Sequence, residues 1–245
     1  MDGATADELA RRLRLPRVDL FDEVGSTLDV AHAMAPDAPS GTLIVANEQT
    51  AGRGRHGRRW ASAPGAGLWI TLIERPSDAR ALDVLSLRCG LYAAEALDVL
   101  AGNRVGVKWP NDLYVGERKL AGILIETRWR GTAPDWVAIG FGLNVMAPDV
   151  STGIGLAPGV SRVQALEQVV PALRAAAAAS RHLSAEELAR WEGRDIARER
   201  VVTSPSAGTV TGISPEGELL VAGPDGRIAS HRTGSLTFAE PLACS

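Results

Sequence analysis

Lysine is almost missing from this chain. Of its 26 basic residues, 24 are arginine and only two, Lys108 and Lys119, are lysine, both inside one twelve-residue segment. Either a few residues have clustered by chance, or that segment needs a compact ammonium point charge that a planar guanidinium fork does not replace. Cysteine is as scarce. Cys89 and Cys244 lie far apart and form no CxxC, which argues against a disulfide framework and a thiolate zinc site; Cys89 reads as a small apolar residue buried on a helix. His32, His56, His182 and His231 show no ligand spacing, so a metal site built on histidine is not expected. No uncharged apolar run nears the roughly 20 residues that span a bilayer, and "MDGATADELARRLRL" has no apolar signal-peptide core. The expectation is a cytoplasmic protein with no membrane contact. An excess of positive charge is missing too: the net charge is −3 and the pI near 5.9, whereas a dedicated nucleic-acid-binding domain is basic.

What is present is enough apolar sequence, 45% of 245 residues, for one large domain and a small one. A short amphipathic helix is predicted from Ala6, with Leu9 and Leu13 on one face, ending before Pro16. "GSTLDVAHAMA" reads as a loop feeding a helix capped by Ser26 or Thr27. "GTLIVANEQ" and "GLWITLIE" read as strands on either side of an Arg-Gly loop, and Ser77 to Leu100 as one long helix. "RVGVKWPNDLYV" and "RKLAGILIETRWR", joined by a turn at Gly116 and Glu117, read as consecutive antiparallel strands. "DWVAIGFGLNV" sets Val137, Ile139, Phe141 and Leu143 on one face and leaves the other nearly bare at Ala138, Gly140 and Gly142. That bare face suits the close approach of a ligand or of a packed helix. Ser161 to Arg194 reads as helical, with a fresh start at Ser184. From Val201 the texture changes to short β runs and turns, which predicts a small barrel of about 45 residues. The boundary is placed so that residues 1–195 form one domain and 196–245 the other.

Four features converge if the strands form one sheet. The loop "GRGRHGRRW" (Gly52 to Trp60) leaves the end of one strand, "KWPNDLYV" and its neighbour supply both lysines, the glycine face offers room, and "GST" supplies hydroxyls. A concave polar pocket with a flexible cationic flap is suited to holding an acid and a nucleoside triphosphate together.

Taken in order, "GST" (Gly25 to Thr27), "EQTAGRGRHGRRW" (Glu48 to Trp60), "KWPNDL" (Lys108 to Leu113), "RKLAGILIE" (Arg118 to Glu126) and "GFGLNV" (Gly140 to Val145) resemble the motif set of bacterial biotin–protein ligases. The resemblance covers about residues 20 to 150 and extends loosely to the C-terminal β region. It implies an α+β fold: a mixed, largely antiparallel sheet with helices, of the class II synthetase-like biotin–lipoate ligase type, followed by a small SH3-like barrel. It implies a ligase that takes ATP, biotin and Mg²⁺, forms biotinyl-5′-AMP, and passes biotin to a lysine on the biotin carboxyl carrier domain of an acyl-CoA carboxylase.

By the same resemblance, Lys119 and Arg55 are the catalytic candidates. Ser26, Thr27, Gln49, Arg53, Gly54, Arg55, Lys119 and Gly122 would contact biotin. Arg53, Arg55, Arg58, Trp60, Lys108, Asn111, Asp112 and Asn144 fall on the ATP side, with Asp112 the candidate Mg²⁺ ligand. The residues by themselves leave plainer roles open: Ser26 as a helix cap, Asp112 as a turn residue after Pro110, Lys108 as a surface charge, and Trp60 as an anchor for the flap. Glu126 reads as a solvated or ion-paired strand residue, and Trp129 and Trp136 as core or rim. Leu28 departs from the family pattern, which commonly has asparagine after "GST".

Members of that family that repress transcription carry a winged helix-turn-helix ahead of "GST", so no DNA binding is expected here. The flap is expected to be mobile without ligand. The chain is expected to be a monomer or weak homodimer paired through edge strands. Two rivals remain at this stage. One is a lipoate–protein ligase or octanoyltransferase of the same superfamily, disfavoured by "GRGRHGRRW" and "KWPND". The other is a nucleic-acid-binding module using the Arg loop and Trp60, disfavoured by the acidic net charge.

Overall fold

The computed structural model describes residues 1–240, so Cys244 lies outside the described residues. Helix α1 (Ala6–Leu13) starts at a Thr5–Glu8 capping box and buries Leu9 and Leu13. Strand β1 (Arg17–Val24) crosses through α2 (Thr27–Met34) to a parallel partner, β2 (Thr42–Gln49). After the Arg-Gly loop come β3 (Gly67–Glu74), α3 (Ala79–Leu82), α4 (Leu85–Ala101), β4 (Val105–Lys108) and β5 (Asp112–Val115). The long hairpin β6 (Arg118–Arg130) and β7 (Ala133–Asn144) leads to α5 (Arg162–Ala178) and α6 (Ala185–Glu192). The chain continues through β8 (Val201–Ser204), β9 (Gly208–Ile213), β10 (Leu219–Ala222), β11 (Ile228–His231) and β12 (Thr237–Phe238).

The first seven strands form one sheet in the order β1-β2-β3-β7-β6-β5-β4, antiparallel except for the β1–β2 pair. Strand alternation divides its two faces. Leu43 and Val45 of β2, with Val137, Ile139, Phe141 and Leu143 of β7, enter the main core with residues of α4 and α5. Ile44, Ile73 and Ala138 point the other way and pack with Leu28, Ala31 and Ala35 around α2. Because α2 covers only part of that second face, the glycines of β7 remain beside its N-terminus.

Two expectations change. The helix predicted from Ser77 to Leu100 breaks between α3 and α4, where buried Val84 takes φ −111° and ψ 2° and packs near Gly217. "RVGVKWPNDLYV" is two strands instead of one, turning at the cis peptide between Trp109 and Pro110. The fresh start read at Ser184 is present: the helical stretch to Arg194 is two helices, and Ser184 caps the second with Glu187. That same Glu187 meets buried Arg88 of α4 at 2.6 Å and accepts from Tyr92 at 3.0 Å. Burial would raise its carboxyl, but the Arg88 guanidinium, the Ser184 N–H and the Tyr92 hydroxyl draw it down to about 2.

The C-terminal strands form an antiparallel sheet ordered β11-β10-β9-β8-β12. The small barrel expected here takes this form; among the described residues its end strands, β11 and β12, do not pair with each other. Val202, Val210, Leu219, Val221 and Leu236 join the main core, and Trp109 Nε1 donates to Gly217 O at 3.0 Å. The C-terminal sheet is thereby fastened to the "KWPND" turn. No helix among the described residues is long and apolar enough to cross a membrane.

Candidate active site

At the start of α2 the backbone presents Ser26 and Thr27, each buried. Ser26 occupies the N-cap position but its side chain makes no capping hydrogen bond, so it does not serve as the cap. Among the described residues its hydroxyl has no hydrogen-bond partner, and it lines the cavity. Thr27 is held by Gln49, whose Oε1 accepts from the Thr27 N–H at 2.8 Å and from Oγ1 at 3.1 Å, while Thr71 Oγ1 donates to Thr27 Oγ1 at 2.9 Å. Gln49 Nε2 donates to Ser62 Oγ at 2.9 Å. This end of the cavity is uncharged, built from hydroxyls and an amide fixed by β2 and β3.

The floor is the glycine face. A Cβ at Gly142 would stand 2.7 Å from the Trp60 indole, one at Gly122 2.9 Å from it, and one at Gly140 3.2 Å from Leu28. Of the two roles anticipated for the bare face, helix packing is present, and the rest of the face is covered by a side chain of the loop. Leu28 brings helix packing onto Gly140, and Gly122 and Gly142 admit a flat aromatic ring.

The opposite end is cationic. Register pairs Lys108 with Asp112 across β4 and β5, and Asp112 with Gly122 across β5 and β6. Lys119 Nζ lies 2.7 Å from Asp112 Oδ1 and 5.0 Å over the Trp60 ring. Arg53, Arg55, Arg58, Arg59, Lys108 and Lys119 all line the cavity, against a single carboxylate, Asp112. Burial, more than the neighbouring Arg58, pulls the Arg55 guanidinium below its ordinary value, and Asp112 opposes the shift. Burial likewise lowers the Lys108 ammonium, with Lys119 and Arg58 adding to it and Asp112 opposing. Six cations around one acid on a chain of net charge −3 is a site made for a polyanion.

The loop from Gly52 to Trp60 lies closed on this cavity, which differs from the free flap expected of its composition. Arg53 reaches Asp29 at 3.0 Å and Glu126 at 3.2 Å, and Glu126 also meets His32. Arg55 Nη1 donates to Gly234 O at 3.1 Å and Asn111 Oδ1 at 3.4 Å. With the Trp60 indole set on the glycines, the cavity holds about 150 Å³, below the ~300–1,000 Å³ of ordinary small-molecule sites. A full-sized ligand must move this loop.

Of the catalytic and binding candidates named from sequence, only Asn144 does not line the cavity. Its Nδ2 donates to Lys119 O at 3.3 Å, so it braces the strand that carries Lys119. Ser235 and Leu236, just ahead of β12, complete the wall; neither belongs to a motif and both arrive by tertiary contact, so no local signal marks them. Ile70, Ile123 and Phe141 also line it; of these the sequence reading places only Phe141 on a face, the bulky one.

Residues 22–144 match the Biotin/lipoate A/B protein ligase family. A biotin–[acetyl-CoA-carboxylase] ligase of Paracoccus denitrificans is 35% identical over 225 residues, covering 82% of this chain and 92% of that protein. The bifunctional ligase/repressor BirA of Bacillus spizizenii is 40% identical over 126 residues, 51% of this chain, and the match spans only 39% of that protein's length. Among solved structures, the biotin protein ligase of Aquifex aeolicus in complex with biotin and ATP superposes with a TM-score of 0.76 at 25% identity, covering 92% of this chain and all of that one.

Proposed function

Because the chain belongs to the biotin/lipoate A/B protein ligase family, we propose that it activates biotin with ATP and transfers it to a lysine of a carboxylase carrier domain. The observation that carries this is the cavity's polarity: a hydroxyl-and-amide end at Ser26, Thr27 and Gln49, a glycine floor, and six cations beyond it. A uncharged ureido head suits the first end, and a carboxylate meeting a triphosphate suits the last.

Biotin's carboxylate attacks the α-phosphate of ATP, giving biotinyl-5′-AMP and pyrophosphate. A carrier lysine amine then attacks the acyl carbon and AMP leaves. Bringing an anion to a triphosphate is repulsive, and the proposed work of Lys119 and Arg55 is to neutralise that approach and the charge that develops at the reacting oxygens. Lys108, Arg58 and Asn111 are assigned to the phosphates and Arg53 to the closing loop. Mg²⁺ binds with one or two carboxylates and completes its shell with phosphate oxygens and water. The single carboxylate in the lining fits that demand, so Asp112 is the residue that would hold it. When bound with ATP the ion adds positive charge at the phosphates.

Support for biotin over lipoate comes from the Paracoccus and Aquifex relatives, and the carrier partner from the former's name. The test is pyrophosphate release with ATP, Mg²⁺ and either biotin or lipoate. Biotin-dependent release is expected; release with lipoate alone, or with neither acid, overturns the proposal.

A further inference from the structure

Lys108 sits in an unusual place for an ammonium. Its Nζ lies 5.1 Å from the Phe238 ring centroid and 5.7 Å from that of Tyr114, and among the described residues no carboxylate comes within 4.0 Å of it. The charges that reach it are Asp112 from β5, Lys119 from β6 and Arg58 from the loop, two of the three repulsive. Besides Asp112, what faces the ammonium and offsets burial and repulsion is the pair of aromatic rings. Tyr114 belongs to β5, but Phe238 comes from β12 of the C-terminal sheet, 130 residues away. Its ring is also 5.5 Å from the guanidinium of Arg200, which Glu117 holds at 2.8 Å, so the ring is itself clamped in place.

We propose that Phe238 is a positioning residue of this site, its ring holding the Lys108 ammonium at the cavity wall for the phosphate chain of a nucleoside triphosphate. The C-terminal sheet then contributes more than cover: through Phe238 it fixes one cation, and through Gly234 O it receives another, Arg55. The phosphate assignment rests on the ligase proposal; the hold on Lys108 does not. A cation over a desolvated ring gains about 0.5–2 kcal/mol, and because it favours the charged form, losing it lowers the lysine pKa.

The two-lysine composition makes the test direct. Full-length protein labelled at lysine Cε with ¹³C gives only two ε-methylene signals. In Phe238→Leu, which keeps an apolar side chain but loses the ring, the Lys108 signal is expected to lose the Phe238 part of its ring-current shift, with that of Tyr114 remaining. Its titration midpoint should fall by about 0.4–1.5 units, the cation–π gain divided by the 1.36 kcal/mol of a pKa unit. The KM for ATP should rise about 2- to 30-fold with the KM for biotin within twofold, and Phe238→Tyr should restore all three. An unmoved Lys108 signal in Phe238→Leu, or equal losses in the Leu and Tyr variants, overturns the inference. Should the Leu variant fail to fold, Phe238→Met supplies the same ring-free comparison. A wild-type protein that releases no pyrophosphate would refute the ligase proposal while the lysine spectrum still reads the hold on Lys108.

Discussion

At the scale of single residues, the two lysines have different surroundings, and the difference predicts different tolerance. Lys119 approaches Asp112 to 2.7 Å beneath the Trp60 ring, a tight corner between a carboxylate and an indole. A guanidinium carries the same charge on a larger planar head and cannot take the same point. Lys108 lies between two aromatic faces, which a guanidinium also accepts. Lys119→Arg should therefore lower biotin-dependent pyrophosphate release on the order of 10²-fold, the scale of losing one preorganised charge contact, while Lys108→Arg keeps activity within about tenfold. Equal tolerance at both positions would mean that the scarcity of lysine is compositional and carries no chemistry. The local clustering of Lys108 and Lys119 was legible in the sequence; their unlike environments were not, because Phe238 and Trp60 reach them from distant parts of the chain.

At the scale of elements, the strands were legible because alternation and apolar runs are local signals, and β2, β3 and β7 lie where the pattern placed them. Breaks were less legible. The interruption at Val84 answers to packing near Gly217, and no nearby residue announces it. The Arg-Gly loop shows the same limit in the other direction. Its composition reads as mobile, yet it is closed by Trp60 on two glycines and by Arg53 between Asp29 and Glu126. Closure has a cost, since the Trp60 Nε1 is buried with no hydrogen-bond partner among the described residues, a penalty of about 1–3 kcal/mol. The ion pairs that oppose it are partly exposed and individually weak, so the packing of the indole on the two glycines is the main contact that keeps the loop down. Gly142→Ala should tip that balance, because the new methyl would meet the indole at 2.7 Å. Trypsin should then cut among Arg53, Arg55, Arg58 and Arg59 several-fold faster than in the wild type, while the melting temperature moves by no more than about 4 °C per kcal/mol of strain retained. Unchanged cutting would show that Trp60 does not hold the loop down.

At the scale of the whole molecule, what needs explaining is how the second sheet is held against the first. Backbone bonds tie the α6–β8 connection that leads into the second sheet to β4: Val107 N–H donates to Arg194 O at 2.9 Å and Ile196 N–H to Val107 O at 3.0 Å. Between Arg194 and Ile196 stands Asp195. Its residue surface is partly buried, and Oδ2 is sealed from solvent with no partner among the described residues, while Oδ1 accepts from the Ala197 N–H at 2.9 Å. Burial pushes its carboxyl up to about 6, against the lowering effects of the Ala197 N–H and Trp191. A carboxyl whose folded value lies above its unfolded value of 3.8 binds its proton more tightly in the native state. Stability is therefore lost as pH rises from about 4 to about 6 and stays lower above that window. Two pKa units correspond to about 3 kcal/mol at most. Asp195→Asn keeps the Oδ1 acceptor and removes the charge, so the variant should melt higher than the wild type at pH 8, by on the order of 5–10 °C. The difference should vanish below about pH 4, where the wild-type carboxyl is protonated in both states. Melting curves of the two proteins across that range decide it: an equal or lower melting temperature for the variant at pH 8 would show that the sealed carboxylate is compensated at the junction and that the tie between the sheets does not depend on its charge.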